Sequence, residues 1–127
     1  MSPGGSPARR PGVTVRVPLS PSERARLEVY ADAAGLTLAT LARTALLEYA
    51  ENPEEVSVRA VDELTSYTGR YLASDALTVH VPPALVARLR LAASRGVARR
   101  FPEQVRLALV GFVAKQDARD RARQRRP

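Results

Sequence analysis

Two short stretches decide the fold of this chain: VTVRVP at residues 13–18 and LTVHVP at residues 77–82. Each alternates apolar residues with polar ones over five positions and then ends at a proline. A period of two with β-branched residues at the apolar positions is typical of a β-strand with one buried face and one exposed face. The sequence therefore predicts two similar half-buried strands, one near the N-terminus and one in the second half.

The two strands differ in charge at their polar positions. The first strand carries Thr14 and Arg16, and the second carries Thr78 and His80. Because successive side chains of a strand point to opposite faces, each polar pair lies on the face away from the apolar residues.

Helix signals follow the first strand. Ser20 with Glu23 three residues later forms a capping-box pattern, and Pro21 suits the first helical position. The predicted helix runs to about Ala34 and ends at Gly35. Thr37 is the expected cap of a second helix over residues 38–51, which Asn52-Pro53 stops. The residues predicted to face inward are Leu27, Tyr30, Ala31, Ala34, Leu38, Leu41, Ala42, Ala45, Leu46 and Tyr49.

Three further helices are predicted beyond residue 52. The first covers residues 53–67 and links the two halves of the chain. The second opens at Pro82-Pro83 and ends at Gly96, and the third begins near Pro102. The residues 117–127 are polar and basic, and either extend that last helix or are disordered. The residues predicted to face inward in the second half are Leu85, Leu89, Ala92, Ala93, Val105, Ala108, Leu109, Phe112 and Val113.

An internal repeat relates the two halves. The strand motifs are offset by 64 residues, the ARL tripeptides at 25–27 and 87–89 by 62, and ARTALLEYA (42–50) and VRLALVGFV (105–113) by 63. The offsets agree within two residues, and the differences fall in predicted turns. A strand, a helix, a glycine and a second helix in the same order twice is stronger evidence of duplication than similar helices alone.

This order resembles the ribbon–helix–helix family of the Arc and MetJ repressors, in a tandem form similar to conjugation proteins of the TraY type. The resemblance implies a mostly α fold with a two-stranded antiparallel ribbon, four main helices and a linker helix. It implies a division of the chain into a flexible basic arm (1–11), a first repeat (12–51), a linker (52–75), a second repeat (76–116) and a basic tail (117–127). The two repeats would form a pseudo-dimer within a single chain, with further homo-oligomers on DNA left open.

The same resemblance implies binding of double-stranded DNA, with the ribbon in the major groove. Base edges would be read by Thr14, Arg16, Thr78 and His80. Phosphates would be contacted at the N-termini of the second helices and by the arm. The phosphate-contacting residues expected on this basis are Arg9, Arg10, Thr37, Leu38, Arg99 and Arg100.

Charge independently favours a polyanionic partner. The chain of 127 residues has a net charge of +7, and the positive charge is unevenly spread. Residues 1–19 hold three basic residues and no acidic one, and residues 76–127 hold twelve basic and three acidic ones, whereas residues 20–75 are net acidic. This pattern is typical of nucleic-acid binding. A merely solubilising basic surface is the alternative.

Composition excludes several other classes. There is no cysteine, and His80 is the single histidine, so no metal site, catalytic residue or cofactor is expected. No apolar run has the length of a membrane span, and a cytoplasmic protein without membrane contact is expected.

Transcriptional repression is the expected role of a DNA-binding protein of this type. An accessory role in plasmid conjugation, as part of a relaxosome, or in partition requires the same DNA surface and stays open. An antitoxin-like module that binds a protein through residues 53–75 or the tail is the remaining alternative.

Overall fold

Each of the two strands is followed along the chain by two helices. The computed structural model describes residues 12–55, 76–98 and 100–125. The elements of the first half are β1 (Val13–Val17), α1 (Pro21–Ala34), α2 (Leu38–Glu51) and a short 3₁₀ helix (Pro53–Glu55). The elements of the second half are β2 (Leu77–Val81), α3 (Pro83–Ala92) and α4 (Phe101–Gln124). The described part of the chain is therefore mostly helical, with four α-helices and one two-stranded sheet.

The two strands pair with each other in antiparallel orientation, within the one chain. Val15 and Val79 are opposite each other at the centre of the ribbon. The alternation predicted from the sequence is confirmed, because the central and C-terminal valines of each strand are buried and the polar residues between them are exposed. A ribbon of two strands is marginal alone, so the valine face must be covered by helices.

Local signals set the helix ends of the first half as predicted. The backbone N–H of Ser20 donates to Glu23 Oε1 at 3.0 Å, and the N–H of Glu23 donates to Ser20 Oγ at 3.1 Å. Gly35 ends α1 in the left-handed region, with φ of 71°, where a side chain would be strained. The hydroxyl of Thr37 accepts from the N–H of Thr40 at 3.1 Å and so caps α2.

One hydrophobic core is shared by both halves of the chain. Helix α4 packs on β1, and helix α2 packs on β2, so the second helix of each half covers the strand of the other half. Among the described residues, the largest fully buried side chains include Leu19, Leu27, Leu46, Leu89, Leu107 and Leu109. Because the core is built crosswise, neither half buries its own strand face by itself.

Helix α3 is shorter than predicted. It ends at Ala92, not at Gly96, and Ala93 is only half-buried, while Ala34 at the end of α1 is exposed. A Cβ added to Gly96 would lie 2.8 Å from the Tyr49 hydroxyl and 3.0 Å from Pro53 Cβ. The glycine therefore allows a close approach between two segments and does not cap the helix.

The predicted linker helix is described only at its start. Pro53–Glu55 forms a 3₁₀ helix, and the remaining residues of the predicted 53–67 helix lie outside the described residues. The described start of the linker is held by the second half, because Arg95 Nη2 lies 3.0 Å from Glu54 Oε2.

Helix α4 continues into the polar C-terminal segment as far as Gln124. Of the two alternatives for this segment, extension of the last helix or disorder, the structure shows the extension. Asp117 and Asp120 face α1, and both accept hydrogen bonds from the Tyr30 hydroxyl. Arg26 also pairs with Asp117, and the Tyr30 ring packs edge-on against Phe112 at 6.5 Å between centroids. These contacts give the polar end of α4 a partner on α1.

Tyr30 makes the stability of the protein sensitive to alkaline pH. Burial, followed by the hydrogen bond to Asp117, raises the pKa of Tyr30 well above its usual value. The unfolded chain then loses this proton at lower pH than the folded chain, so the stabilisation is complete below about pH 10 and is lost as the pH rises above it. Replacing Tyr30 with phenylalanine (Y30F) should cost about 1–2 kcal/mol at neutral pH and should weaken the alkaline loss of stability.

Urea unfolding at about pH 8 and about pH 10.5 measures both effects. Burial also raises the pKa of Tyr49, so Y49F is the matched control, which retains the contribution of Tyr30. Equal alkaline losses in the wild type and in Y30F would contradict the role given to the Tyr30 hydroxyl.

Candidate nucleic-acid interface

The exposed face of the ribbon carries the four residues predicted to read bases. The register places Thr14 opposite His80 and Arg16 opposite Thr78, and all four residues are exposed. The Thr14 hydroxyl lies 3.3 Å from His80 Nδ1, so the two strands are also linked on this face. Each end of the polar surface therefore has one threonine and one basic or titratable side chain, brought together from sequence positions more than sixty residues apart.

Two arginine side chains donate hydrogen bonds to backbone carbonyls at one end of the ribbon. Arg24 Nη1 donates to the Ala76 carbonyl at 2.9 Å, just before β2. Arg106 Nη1 donates to the Pro18 carbonyl, just after β1. Because the strands are antiparallel, these two carbonyls lie at the same end, next to the Arg16–Thr78 pair. The exposed side chains at this end are thus presented on a fixed backbone.

The N-terminus of α2 is free of negative charge in its first turn. Thr37 is exposed and Leu38 is half-buried. Arg43 Nη2 lies 3.4 Å from the Thr40 hydroxyl, which places a guanidinium one turn from the helix start. Backbone N–H groups, hydroxyls and a cation at a helix N-terminus suit a phosphate, and contact of Thr37 and Leu38 with a phosphate remains a prediction.

The N-terminus of α4 has a different electrostatic character. Arg100 is exposed, as a phosphate-binding residue must be. However, Pro102 lacks an N–H, and the Glu103 carboxylate accepts a hydrogen bond from the Arg100 backbone N–H at 3.4 Å. A carboxylate in the first turn occupies the favourable end of the helix dipole and repels a phosphate there. The two predicted phosphate sites are therefore unequal.

Replacing Glu103 with glutamine (E103Q) is expected to raise affinity for DNA about two- to fivefold at low salt. Glutamine retains the capping interaction, whereas the negative charge at the helix start, worth about 0.3–1 kcal/mol, is removed. Filter binding or fluorescence anisotropy measures the change. The matched control is E51Q. Glu51 is also exposed, but it lies at the C-terminal end of α2 and not at a helix start. An equal gain in E51Q would mean that only the net charge matters.

Three predicted contact residues are not placed by the structure. Arg9 and Arg10 in the N-terminal arm, and Arg99 before α4, lie outside the described residues. Their assignment as phosphate contacts remains a prediction from the sequence.

Three arginines that were not predicted as site residues contact the ribbon backbone or the start of α2. Arg24 and Arg106 hold the ribbon backbone, and Arg43 lies near the start of α2. Arg43 had a detectable signal, since Thr37, Thr40 and Arg43 recur at steps of three along one side of a helix. Arg24 and Arg106 had none, because their partners are distant in sequence.

Other site types receive no support from the described residues. Residues 12–55, 76–98 and 100–125 contain no group of three or more histidine, aspartate or glutamate side chains arranged to hold a metal ion. Within the same ranges, no helix combines the length and the apolar character needed to cross a membrane.

Comparisons with models of known protein families, with curated proteins and with solved structures give no match to this chain.

Proposed function

We propose that this protein is a sequence-specific double-stranded DNA-binding protein of the tandem ribbon–helix–helix type that represses transcription. The β1–β2 ribbon enters the major groove, and side chains on its exposed face bond to base edges. The start of α2 and arginines around the ribbon contact the phosphates on either side of the major groove. The remaining helical segments position these parts.

The observation that carries the proposal is the composition of the two ribbon faces. The valine face is buried, with Val17 and Val81 almost inaccessible, while the opposite face presents Thr14, Arg16 and their partners to solvent. A two-stranded ribbon fits a major groove about 12 Å wide. Arginine can donate two hydrogen bonds to guanine, and threonine contacts several bases.

Charge supports DNA as the ligand over a protein ligand. The net charge is +7, and the second half of the chain carries most of it. Positive surface attracts the phosphate backbone and makes binding strongly dependent on salt. The acidic residues at the end of α2 and in the 3₁₀ helix are matched by Arg88, Arg95 and Lys115 of the second half. The negative charge at the end of α2 and in the 3₁₀ helix is therefore partly neutralised by ion pairs within the chain.

The arrangement of the halves supports binding as a single-chain pseudo-dimer. Each second helix covers the strand of the other half, and the buried pair Glu23–Arg106 joins α1 to α4 at 3.3 Å. Pairing within one chain avoids the entropy cost of bringing two chains together. One chain thus supplies a complete ribbon, and further copies on neighbouring sites are not required for one site to be read.

The proposal is tested by selecting duplexes from a random pool with the full-length protein, and by mapping its bound sites in cells. We expect enrichment of a short site bound by one chain, with an affinity that falls steeply as salt rises. Repression predicts bound sites that overlap promoters, and a role in conjugation or partition predicts sites at a transfer origin or a partition locus. Recovery of no sequence preference at any salt concentration would reject sequence-specific binding.

A further inference from the structure

Large apolar side chains that stay exposed fall at equivalent places in the two halves of the chain. Among the described residues, the exposed large hydrophobic side chains are Val29, Leu36, Leu47, Leu91 and Val97. Val29 on α1 and Leu91 on α3 are 62 residues apart, the same offset as the ARL tripeptides of these helices. Leu36 and Val97 follow the same two helices at an offset of 61. Four of these five side chains therefore belong to two related surfaces, whereas unrelated exposed apolar residues would be scattered singly.

Two faces can be defined around Val29 and Leu91. Each consists of four exposed residues at successive steps of three, one and three along the chain. The α1 face is Ala25, Glu28, Val29 and Asp32, and the α3 face is Ala87, Arg90, Leu91 and Ser94. Val29 is 62% exposed and Leu91 is 78% exposed, so the apolar centre of each face is left uncovered by the rest of the described chain.

The two faces carry opposite charge at one equivalent position. Glu28 stands before the valine of the α1 face, whereas Arg90 stands before the leucine of the α3 face. Asp32 adds a second acidic group to the α1 face, while α3 contains two arginines and no acidic residue. Arg24 Nε lies 3.4 Å from Glu28 Oε2, but the Glu28 side chain is still 53% exposed, and an exposed pair of this kind is weak. The α1 face is therefore acidic and the α3 face basic, each around an apolar centre.

A second copy of this chain supplies the complement of each face. An α1 face against an α3 face buries Val29 against Leu91 and brings opposite charges together. Two α3 faces would instead oppose arginines, and two α1 faces would oppose carboxylates, so like faces are disfavoured. Because both faces are exposed, they do not cover each other within one chain. The charge pattern thus favours contact between unlike faces of different copies.

We propose that copies of this protein associate head to tail, through the α1 face of one copy and the α3 face of the next. The faces contain no ribbon residue, and this inference does not depend on the proposed function. The contact is small, and interfaces that bury less than about 1,200 Å² are typical of weak, transient association. It should therefore form at high protein concentration or where copies are held close together. A contact between unlike faces leaves one of each at the ends, so copies in a row repeat in the same orientation.

The test uses single-cysteine variants of the full-length protein, because the chain contains no cysteine of its own. Val29→Cys and Leu91→Cys proteins are mixed at about 1 mM, where a weak contact is populated, and a mild oxidant is added. Intact-mass measurement separates the mixed disulfide from the two like disulfides, since the variants differ in mass. We expect the mixed disulfide to form about tenfold faster than either like disulfide, with a smaller preference at high salt.

Leu47→Cys is the matched control for exposure. Leu47 lies on α2, is 41% exposed and belongs to neither face. A mixture of Leu47→Cys and Val29→Cys proteins should therefore form the mixed disulfide no faster than the like ones. A preference as large as that of the first mixture would mean that exposure alone sets the rate, and would overturn the inference.

An exchange of charges tests the orientation of the contact. Arg90→Glu, added to the Leu91→Cys protein, places a carboxylate against Glu28 and should remove the preference for the mixed disulfide. Glu28→Lys, added to the Val29→Cys partner, should restore it, because opposite charges then face each other again. Equal rates for the three disulfides, a faster like disulfide, or a preference that Arg90→Glu leaves unchanged would overturn the inference. Selection of DNA sites by the unmodified protein tests the proposed function separately, so the failure of one is distinguishable from the failure of the other.

Discussion

Replacing Arg106 with methionine (R106M) is expected to destabilise the protein by about 3–5 kcal/mol. The Arg106 side chain is 6% exposed and lies 3.3 Å from Glu23, whose side chain is 7% exposed. It also donates to the Pro18 carbonyl at the end of β1. Removal of one member of a buried ion pair leaves the other charge without its partner in a low-dielectric environment, which costs about this amount. Urea unfolding at neutral pH measures the loss.

A double-mutant cycle measures the interaction energy between Glu23 and Arg106 separately from the contacts that each makes with other residues. E23Q retains a capping residue at the start of α1 but removes the charge, and should cost about 1–3 kcal/mol. The double variant E23Q/R106M should be more stable than the sum of the two losses predicts, by roughly 0.5–3 kcal/mol. The control is R88M, because Arg88 is exposed and lies 4.0 Å from Glu51; its effect should stay within about 0.5 kcal/mol. Additive losses in the cycle would show that the two charges do not stabilise each other.

The same ion pair makes the two halves complementary rather than equivalent. In the proposed tandem arrangement, the position equivalent to Arg106 lies 63 residues earlier, at Arg43, and the position equivalent to Glu23 in the first helix lies 62 residues later, at Leu85. Pairing of two second halves would therefore place a buried arginine against a leucine. This loss opposes pairing of like halves between two chains, and it favours the internal pairing seen in the structure.

Replacing Arg16 with alanine (R16A) is expected to lower affinity for the preferred DNA site by about 1–3 kcal/mol, or roughly 5- to 150-fold. Arg16 is on the exposed face of the ribbon, opposite Thr78. A bidentate contact of arginine with guanine discriminates between bases by this amount. The loss on random-sequence duplexes should be much smaller, so the variant should lose specificity. Anisotropy titrations with the selected site and with a scrambled site measure both quantities.

Arg16→Lys is the matched control for charge. Lysine keeps the positive charge, so affinity for random sequence should be close to that of the wild type, whereas the planar fork that bonds guanine at two points is lost. Discrimination between the selected and the scrambled DNA site should therefore fall in both variants, whereas affinity for random-sequence DNA should fall only in R16A. Equal losses on the selected and scrambled sites in R16A would identify Arg16 as a phosphate contact.

Both strands and the limits of the first two helices could be predicted from the sequence because their causes are local. Alternation of valine with polar residues sets the two faces of each strand. Ser20 and Glu23 start α1, Gly35 ends it, and Thr37 starts α2, each through contacts within five residues along the chain. The exposed positions of Thr14, Arg16, Thr78 and His80 followed from the same alternation, whereas their role as base contacts is a prediction from the family resemblance.

The tertiary structure decided what depends on partners that are distant in the chain. Helix α3 ends at Ala92, and Gly96 beyond it lies close to Tyr49 and Pro53. Helix α4 continues to Gln124, with Asp117 bonded to Tyr30 of α1. Glu23 and Arg106 are 83 residues apart, and no local pattern distinguishes a buried arginine from an exposed one. The sequence by itself thus determined the elements and their faces through short-range periodicity and capping, whereas the tertiary structure decided which half covers which, because buried contacts form only when distant segments meet.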